Sequence, residues 1–181
     1  MTRAMSDAGA RDAVGALVDG ARGGSPEALA ALYRAHGVAL YRLAYRLTGT
    51  REDAEDVLHD VFVGLPEALD RYEERGNLSG WLKRVTARVA LGWVRTRKRR
   101  SEVPLELAGP ESEPHTQAEG MALRVAVSQL PQRLRDVIVL KEIEGYSHRE
   151  VADLLGISVV ASRVRAHRGL ARLRHLLEDG R

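Results

Sequence analysis

The sequence predicts an all-α fold: two small helical domains joined by a flexible linker. Three observations carry that expectation. Apolar residues recur every three or four positions through most of the chain, the period of a helix that buries one face. No stretch shows the two-residue alternation of a half-buried strand. Residues 101–116 hold prolines at 104, 110 and 114, four acids and no base, and without periodicity they read as a tether.

Along the chain, residues 1–24 form a small-residue-rich N-terminal segment with one weak helical stripe, Val14, Leu17, Val18 and Ala21. The first domain is expected over 25–100. Ser25-Pro26 opens a helix with proline at its first position, and Leu29, Leu32, Tyr33, Leu40, Leu43 and Leu47 line it as far as Gly49. Thr50-Arg51-Glu52-Asp53 resembles a capping box, and the helix after it turns Ala54, Val57, Leu58, Val61, Phe62, Leu65 and Leu69 inward. Pro66 cannot donate its amide, so that helix should kink or restart near Leu65. Gly76-Asn77 marks a loop, and a helix from about Ser79 to Arg97 follows, apolar at Leu82, Val85, Val89 and Trp93.

The second domain is expected over 117–181. Thr116 to Glu119 again has the spacing of a capping box, and helices are predicted at roughly 117–129, 132–143, 148–155 and 159–177. The last two make a helix-turn-helix. Ser147 and Glu150 stand at the N-cap and third positions, where each satisfies an orphan amide of the other's backbone. Gly156 ends the first helix and Ser158 caps the second. Small Ala152 and Gly156 would let the two helices cross closely.

On the second helix Val159, Ser162, Ala166, Leu170, Leu173 and Leu177 share one face, with Arg163 at its border. Val160, Ala161, Val164, Arg165, His167, Arg168 and Arg172 lie on the others. Outward valines beside arginines suit thymine methyls, guanine edges and phosphates in a major groove.

Composition sets outer limits. The 181-residue chain has no cysteine, which excludes a disulfide framework, a thiolate metal site and a catalytic thiol. No apolar run approaches 18 residues, so no membrane insertion is expected and the cytoplasm is the expected compartment. The six histidines have no metal-ligand spacing, and no glycine-rich loop follows a strand. No cofactor and no catalysis are expected.

The net charge is only +3, but the charge is segregated. Residues 51–74 carry nine acids against two arginines; residues 81–100 carry eight bases and no acid. Neighbouring helices of opposite sign suggest two faces for two different partners.

The order of these motifs resembles a known family. Leu47-Thr48-Gly49-Thr50-Arg51-Glu52-Asp53-Ala54-Glu55-Asp56, then Asp60-Val61-Phe62, Gly80-Trp81-Leu82 and a basic helix look like region two of bacterial sigma factors of the sigma-70 family. More closely they resemble its extracytoplasmic-function group. Leu130-Pro131, Arg135, Val139-Leu140, Glu144-Gly145-Tyr146-Ser147, Glu150-Val151-Ala152 and Leu155-Gly156-Ile157-Ser158 resemble region four with its helix-turn-helix. The likeness spans about 25–177, with the linker where this group lacks region three.

The resemblance implies a promoter-specificity subunit of RNA polymerase, with the polymerase core and promoter DNA as partners. Carried over by position, the core-binding surface would comprise Asp53, Asp56, His59, Asp60 and Val63. The minus-ten element would be held by Asn77, Ser79, Trp81, Lys83, Arg84 and Arg88. The minus-thirty-five element would be bound by Ser158, Val160, Ala161, Arg163, Val164, Arg165, His167 and Arg168, with Arg163, Arg165, His167 and Arg168 reading it and Ser158 and Ala161 near phosphate. Trp81 has two readings that stay open here: a stacking platform for melted bases or a core residue of the first domain. An anti-sigma partner that masks both domains, and a monomeric state when free, are further expectations.

Three departures from the family pattern stand out. Val160-Ala161-Ser162 replaces the common Gly-Thr-Val, Val89 replaces a frequent Asn, and Gly64 and Pro66 interrupt a helix that relatives keep plain. Two other readings of the residues are a stand-alone helix-turn-helix regulator and an RNA-binding adaptor using Arg95 to Arg100.

Overall fold

The computed structural model describes residues 13–73, 77–100 and 118–179, with the side chains of 98–100, 118–121 and 179 left aside. These residues form α1 (13–22), α2 (Pro26–Thr48), α3 (Arg51–Val63), α4 (Leu65–Leu69), α5 (Leu78–Arg100), α6 (Ala118–Ser128), α7 (Gln132–Ile138), a π-helical turn (Val139–Ile143), α8 (His148–Leu155) and α9 (Val159–Asp179). No strand occurs among them, in line with the all-α expectation. The linker 101–116 and the Thr116 cap lie outside the described residues.

The backbone contacts divide the chain into two units. Of the described residues, one comprises those of 13–44 and 52–90, the other those of 45–51 and 91–179.

In the first unit the weak N-terminal stripe is a packed helix. Val18 and Ala21 of α1 are buried, and they join Ala28, Leu32, Leu40, Leu58, Leu65, Leu69, Tyr72, Leu78 and Leu82 in one core. Arg22 ties the end of α1 to the end of α4, its Nη2 donating to the Leu69 carbonyl at 3.0 Å. Ser25 caps α2 by accepting from the Ala28 amide at 3.3 Å.

Tyr33 was expected inside and is instead 52 % exposed, its ring edge-on to Phe62 at 5.1 Å between centroids. Tyr33 lies at the edge of the stripe whose centre is the buried Leu32, so its ring is covered in part and keeps an edge contact to Phe62. The break at Pro66 follows expectation. The helix stops at Val63, Gly64 lies between, and α4 begins with the proline in its first turn.

The buried face of α5 is rotated from the expected one. Leu82, Thr86, Ala87, Ala90 and Leu91 are buried, whereas Val85, Val89 and Trp93 are half-buried. Small Ala87 and Ala90 allow close approach to neighbours. Thr86 is tolerated there because its hydroxyl donates to the Leu82 carbonyl at 2.9 Å.

The second unit is organised on α9, which packs against α6, α7 and α8. Gly169 is the tightest point: a Cβ there would lie 2.6 Å from Ile138 Cγ1. The predicted helix 132–143 is an α-helix that widens into a π turn, with the Glu144 amide bonding the Val139 carbonyl at 2.9 Å. Val137 to Leu140, which span the junction of the two, are all buried.

A polar network crosses this unit. Gln132 Nε2 donates to Asp136 Oδ1 at 2.6 Å and to the Leu47 carbonyl at 2.9 Å, and Arg46 pairs with the buried Glu144 carboxylate at 2.8 Å. Burial pushes the Asp136 carboxyl up to about 6; the Gln132 hydrogen bond and the charges of Arg135, Arg165 and Arg95 oppose that rise.

Candidate nucleic-acid interface

The helix-turn-helix is built from its caps outward. Ser147 Oγ accepts from the Glu150 amide at 3.2 Å while Glu150 Oε2 accepts from the Ser147 amide at 2.9 Å, closing the capping box that starts α8. The helix ends at Gly156, whose φ of 65° is left-handed, with its amide bonding Ala152.

Gly156 does not serve the close helix crossing expected of it. A Cβ at that position would meet nothing within 4 Å, so the residue is required by backbone conformation. Ser158 then caps α9, its Oγ accepting from the Ala161 amide at 3.0 Å.

On α9 the inward face is Ser162, Ala166, Gly169 and Leu173, all buried. Leu170, placed on that face from the wheel, is 42 % exposed. The stripe centres on Gly169, where the α7 side chains leave no room for a Cβ, and Leu170, about 100° further round the helix, falls outside it. Outward from the same axis lie Val160, 68 % exposed, with Val164, Arg163, His167 and Arg168 also exposed and Ala161 and Arg165 half-buried. The expected minus-thirty-five residues therefore fall on the first three turns of one capped helix. The Ala161 amide is taken by Ser158, and the leading amides before it, with the positive dipole end, favour a phosphate at the start.

The helix is also tied to α8. His148 Nδ1 lies 3.0 Å from Ser162 Oγ, a contact that helical spacing alone did not disclose.

Two further surfaces lie on the first unit, each on one element. On α3, Ala54, Val57, Leu58 and Val61 face inward. Asp56, His59 and Asp60 are exposed, Asp53 is half-buried, and Val63 is 65 % exposed at the helix end. The result is an acidic face with an apolar rim.

At the start of α5, Asn77 Oδ1 caps the helix by accepting from the Gly80 amide at 3.0 Å. A Cβ on Gly80 would sit 2.6 Å from that carboxamide, so the pair is sterically coupled. Ser79 and Arg88 are exposed, and Lys83 and Arg84 are half-buried. Trp81 is half-buried, tilted on Tyr72 at 5.0 Å between ring centroids and packed against the core. Its indole is thus anchored in the first unit while keeping part of its surface outside.

No described helix is long and apolar enough to cross a membrane.

Comparison with known proteins adds two family matches: Sigma-70 region 2 over residues 32–100 and Sigma-70 region 4 over residues 120–173. The chain is 38 % identical over 155 residues to the ECF RNA polymerase sigma factor SigE of Mycolicibacterium smegmatis. That alignment covers 81 % of this chain and 60 % of the relative, so the chain spans about three fifths of SigE's length. It is 31 % identical to the ECF RNA polymerase sigma factor SigM of Mycobacterium tuberculosis, with 81 % of this chain and 75 % of that protein covered. Among solved structures it is similar to CnrH in complex with the cytosolic domain of CnrY, at 30 % identity and a TM-score of 0.57, covering 90 % of this chain and 96 % of that one.

Proposed function

The chain belongs to the sigma-70 family, in its extracytoplasmic-function group, and from that premise we propose that it recruits RNA polymerase core to promoters with a division of labour among three helix faces. It acts as a sigma factor in transcription initiation and works in the cytoplasm, where its polymerase works. Asp53, Asp56, His59, Asp60 and Val63 dock on basic and apolar surface of the core. Asn77, Ser79, Trp81, Lys83, Arg84 and Arg88 hold the melted minus-ten strand, with Lys and Arg on phosphate and the free edge of the indole against a base. Ser158, Val160, Ala161, Arg163, Val164, Arg165, His167 and Arg168 read the minus-thirty-five element in the major groove.

In this reading residues 25–100 are region two, 101–116 the tether and 117–181 region four, preceded by the 1–24 segment. Each DNA surface offers few phosphate contacts and binds weakly alone, with a salt slope of roughly 0.9 per contact. Holding both on one polymerase makes the binding bivalent, with the tether setting the effective concentration. Solved relatives bound to inhibitory or cytosolic partner domains, CnrH with CnrY among them, support an anti-sigma partner for this chain too.

The observation that carries the proposal is the outward face of α9, where exposed valine and arginine share the leading turns of a capped helix. The stand-alone regulator is set aside, because the Sigma-70 region 2 match accounts for the N-terminal half that such a regulator leaves unexplained. Run-off transcription with purified core on a promoter library tests the proposal. Adding the chain should redirect initiation to a defined minus-thirty-five and minus-ten pair. Unchanged start-site choice would refute it.

A further inference from the structure

Ser162 is fully buried on the inner face of α9, where an apolar residue would be the simpler choice. Its backbone amide is committed to the Ser158 carbonyl at 3.0 Å. A buried hydroxyl costs stability unless it is hydrogen-bonded, and here the partner is His148 Nδ1 at 3.0 Å, from the first residue of α8. The bond suits either imidazole tautomer, since a serine hydroxyl both donates and accepts. It links the two helices of the motif directly, and unlike an apolar contact it has a preferred direction.

We infer that the His148–Ser162 hydrogen bond fixes the rotation of α9 about its axis, making His148 a positioning residue for minus-thirty-five recognition. The geometry gives the reason. Ser162 sits one residue before Arg163 and three before Arg165, so the bond acts at the level of the helix that carries the reading side chains. With side chains a helix has a radius of about 6 Å, so a rotation of about 20° carries a side-chain end through about 2 Å. That displacement is enough to break a bidentate arginine contact to guanine. The close packing of α9 on α7 lies two turns further on, at Gly169, and the inner residue between is the small Ala166, so at the level of the reading side chains the directional contact is the polar bond.

The inference rests on the sigma-factor reading and deepens it, so the experiment must separate the two. Full-length chain reconstituted with polymerase core is assayed by run-off transcription on promoters that differ only by single bases in the minus-thirty-five element. His148→Phe should lower discrimination between the preferred element and its variants about three- to tenfold, the range one hydrogen bond commands. His148→Asn, whose carboxamide reaches the Nδ1 position, should restore it. Ser162→Val should lose discrimination as His148→Phe does, and the double variant should lose no more than either single change, as expected when both remove one interaction.

Unchanged discrimination in His148→Phe, failure of His148→Asn to rescue, or additive losses in the double variant would overturn the positioning role. A wild-type holoenzyme indifferent to the minus-thirty-five element would remove the sigma-factor reading and this inference with it.

Discussion

The outer faces of α3 and α9 carry opposite chemistry on similar frames. Both helices bury a narrow stripe, Ala54, Val57, Leu58 and Val61 on α3 and Ser162, Ala166, Gly169 and Leu173 on α9. Outside that stripe α3 shows Asp56, His59 and Asp60, whereas α9 shows Arg163, His167 and Arg168. Folding is indifferent to the outer set, because solvated charges contribute little to stability. Recognition depends on it, because complementary fields choose the partner. The buried stripe makes the helix, and the exposed remainder assigns its partner.

The largest expected effect tests that assignment. Replacing both Asp56 and Asp60 by Lys should weaken association with polymerase core about a hundred- to thousandfold, since like charges then face each other. Promoter preference of the holoenzyme that still forms should be unaltered. Arg168→Ala should do the converse, relaxing minus-thirty-five selectivity by about five- to hundredfold while core affinity holds. Native gel titration against core, run beside the promoter assay, reads both. If the two kinds of change hit the same step, the two faces do not have separate partners.

A second prediction concerns what is buried. The folded-state value of Asp136 is about 6 against an ordinary 3.8, so its protonated form favours folding. That contribution is complete below about 3.8 and is lost as the pH rises through about 6. This contribution should fall by about 3 kcal/mol across that window, so the stability of Asp136→Asn relative to wild type should rise with pH between about 3.8 and 6. Urea denaturation of both proteins at several pH values decides it. Equal pH profiles would mean that the surrounding guanidinium groups offset burial fully.

The smallest expected effect lies at the cap of α8. Ser147→Ala opens the capping box and should cost about 1 kcal/mol, seen as a lowered midpoint in thermal unfolding. Because the cap holds the residue before His148, some loss of promoter discrimination should accompany it.

Much of this was readable in advance from local chemistry. Ser147 with Glu150, Gly156, Ser158 and Pro66 act through their own backbone neighbourhoods, so the helix boundaries they mark do not depend on the rest of the chain. The acidic and basic faces were equally plain, because charge follows directly from residue type. Harder to read were Leu170, Tyr33 and the rotated face of α5. Helical spacing defines a stripe only to within a residue, and which edge of it is covered depends on the neighbour that arrives.

The sequence by itself determined an all-helical chain, the ends of most helices, and the sign of each outer face, because all three arise from interactions within a few residues. Only the tertiary structure decided that α1 completes the first core, that Gly169 rather than Gly156 is the close approach, and that His148 meets Ser162. Those outcomes require segments distant along the chain to meet, and packing, not periodicity, selects which atoms end within reach.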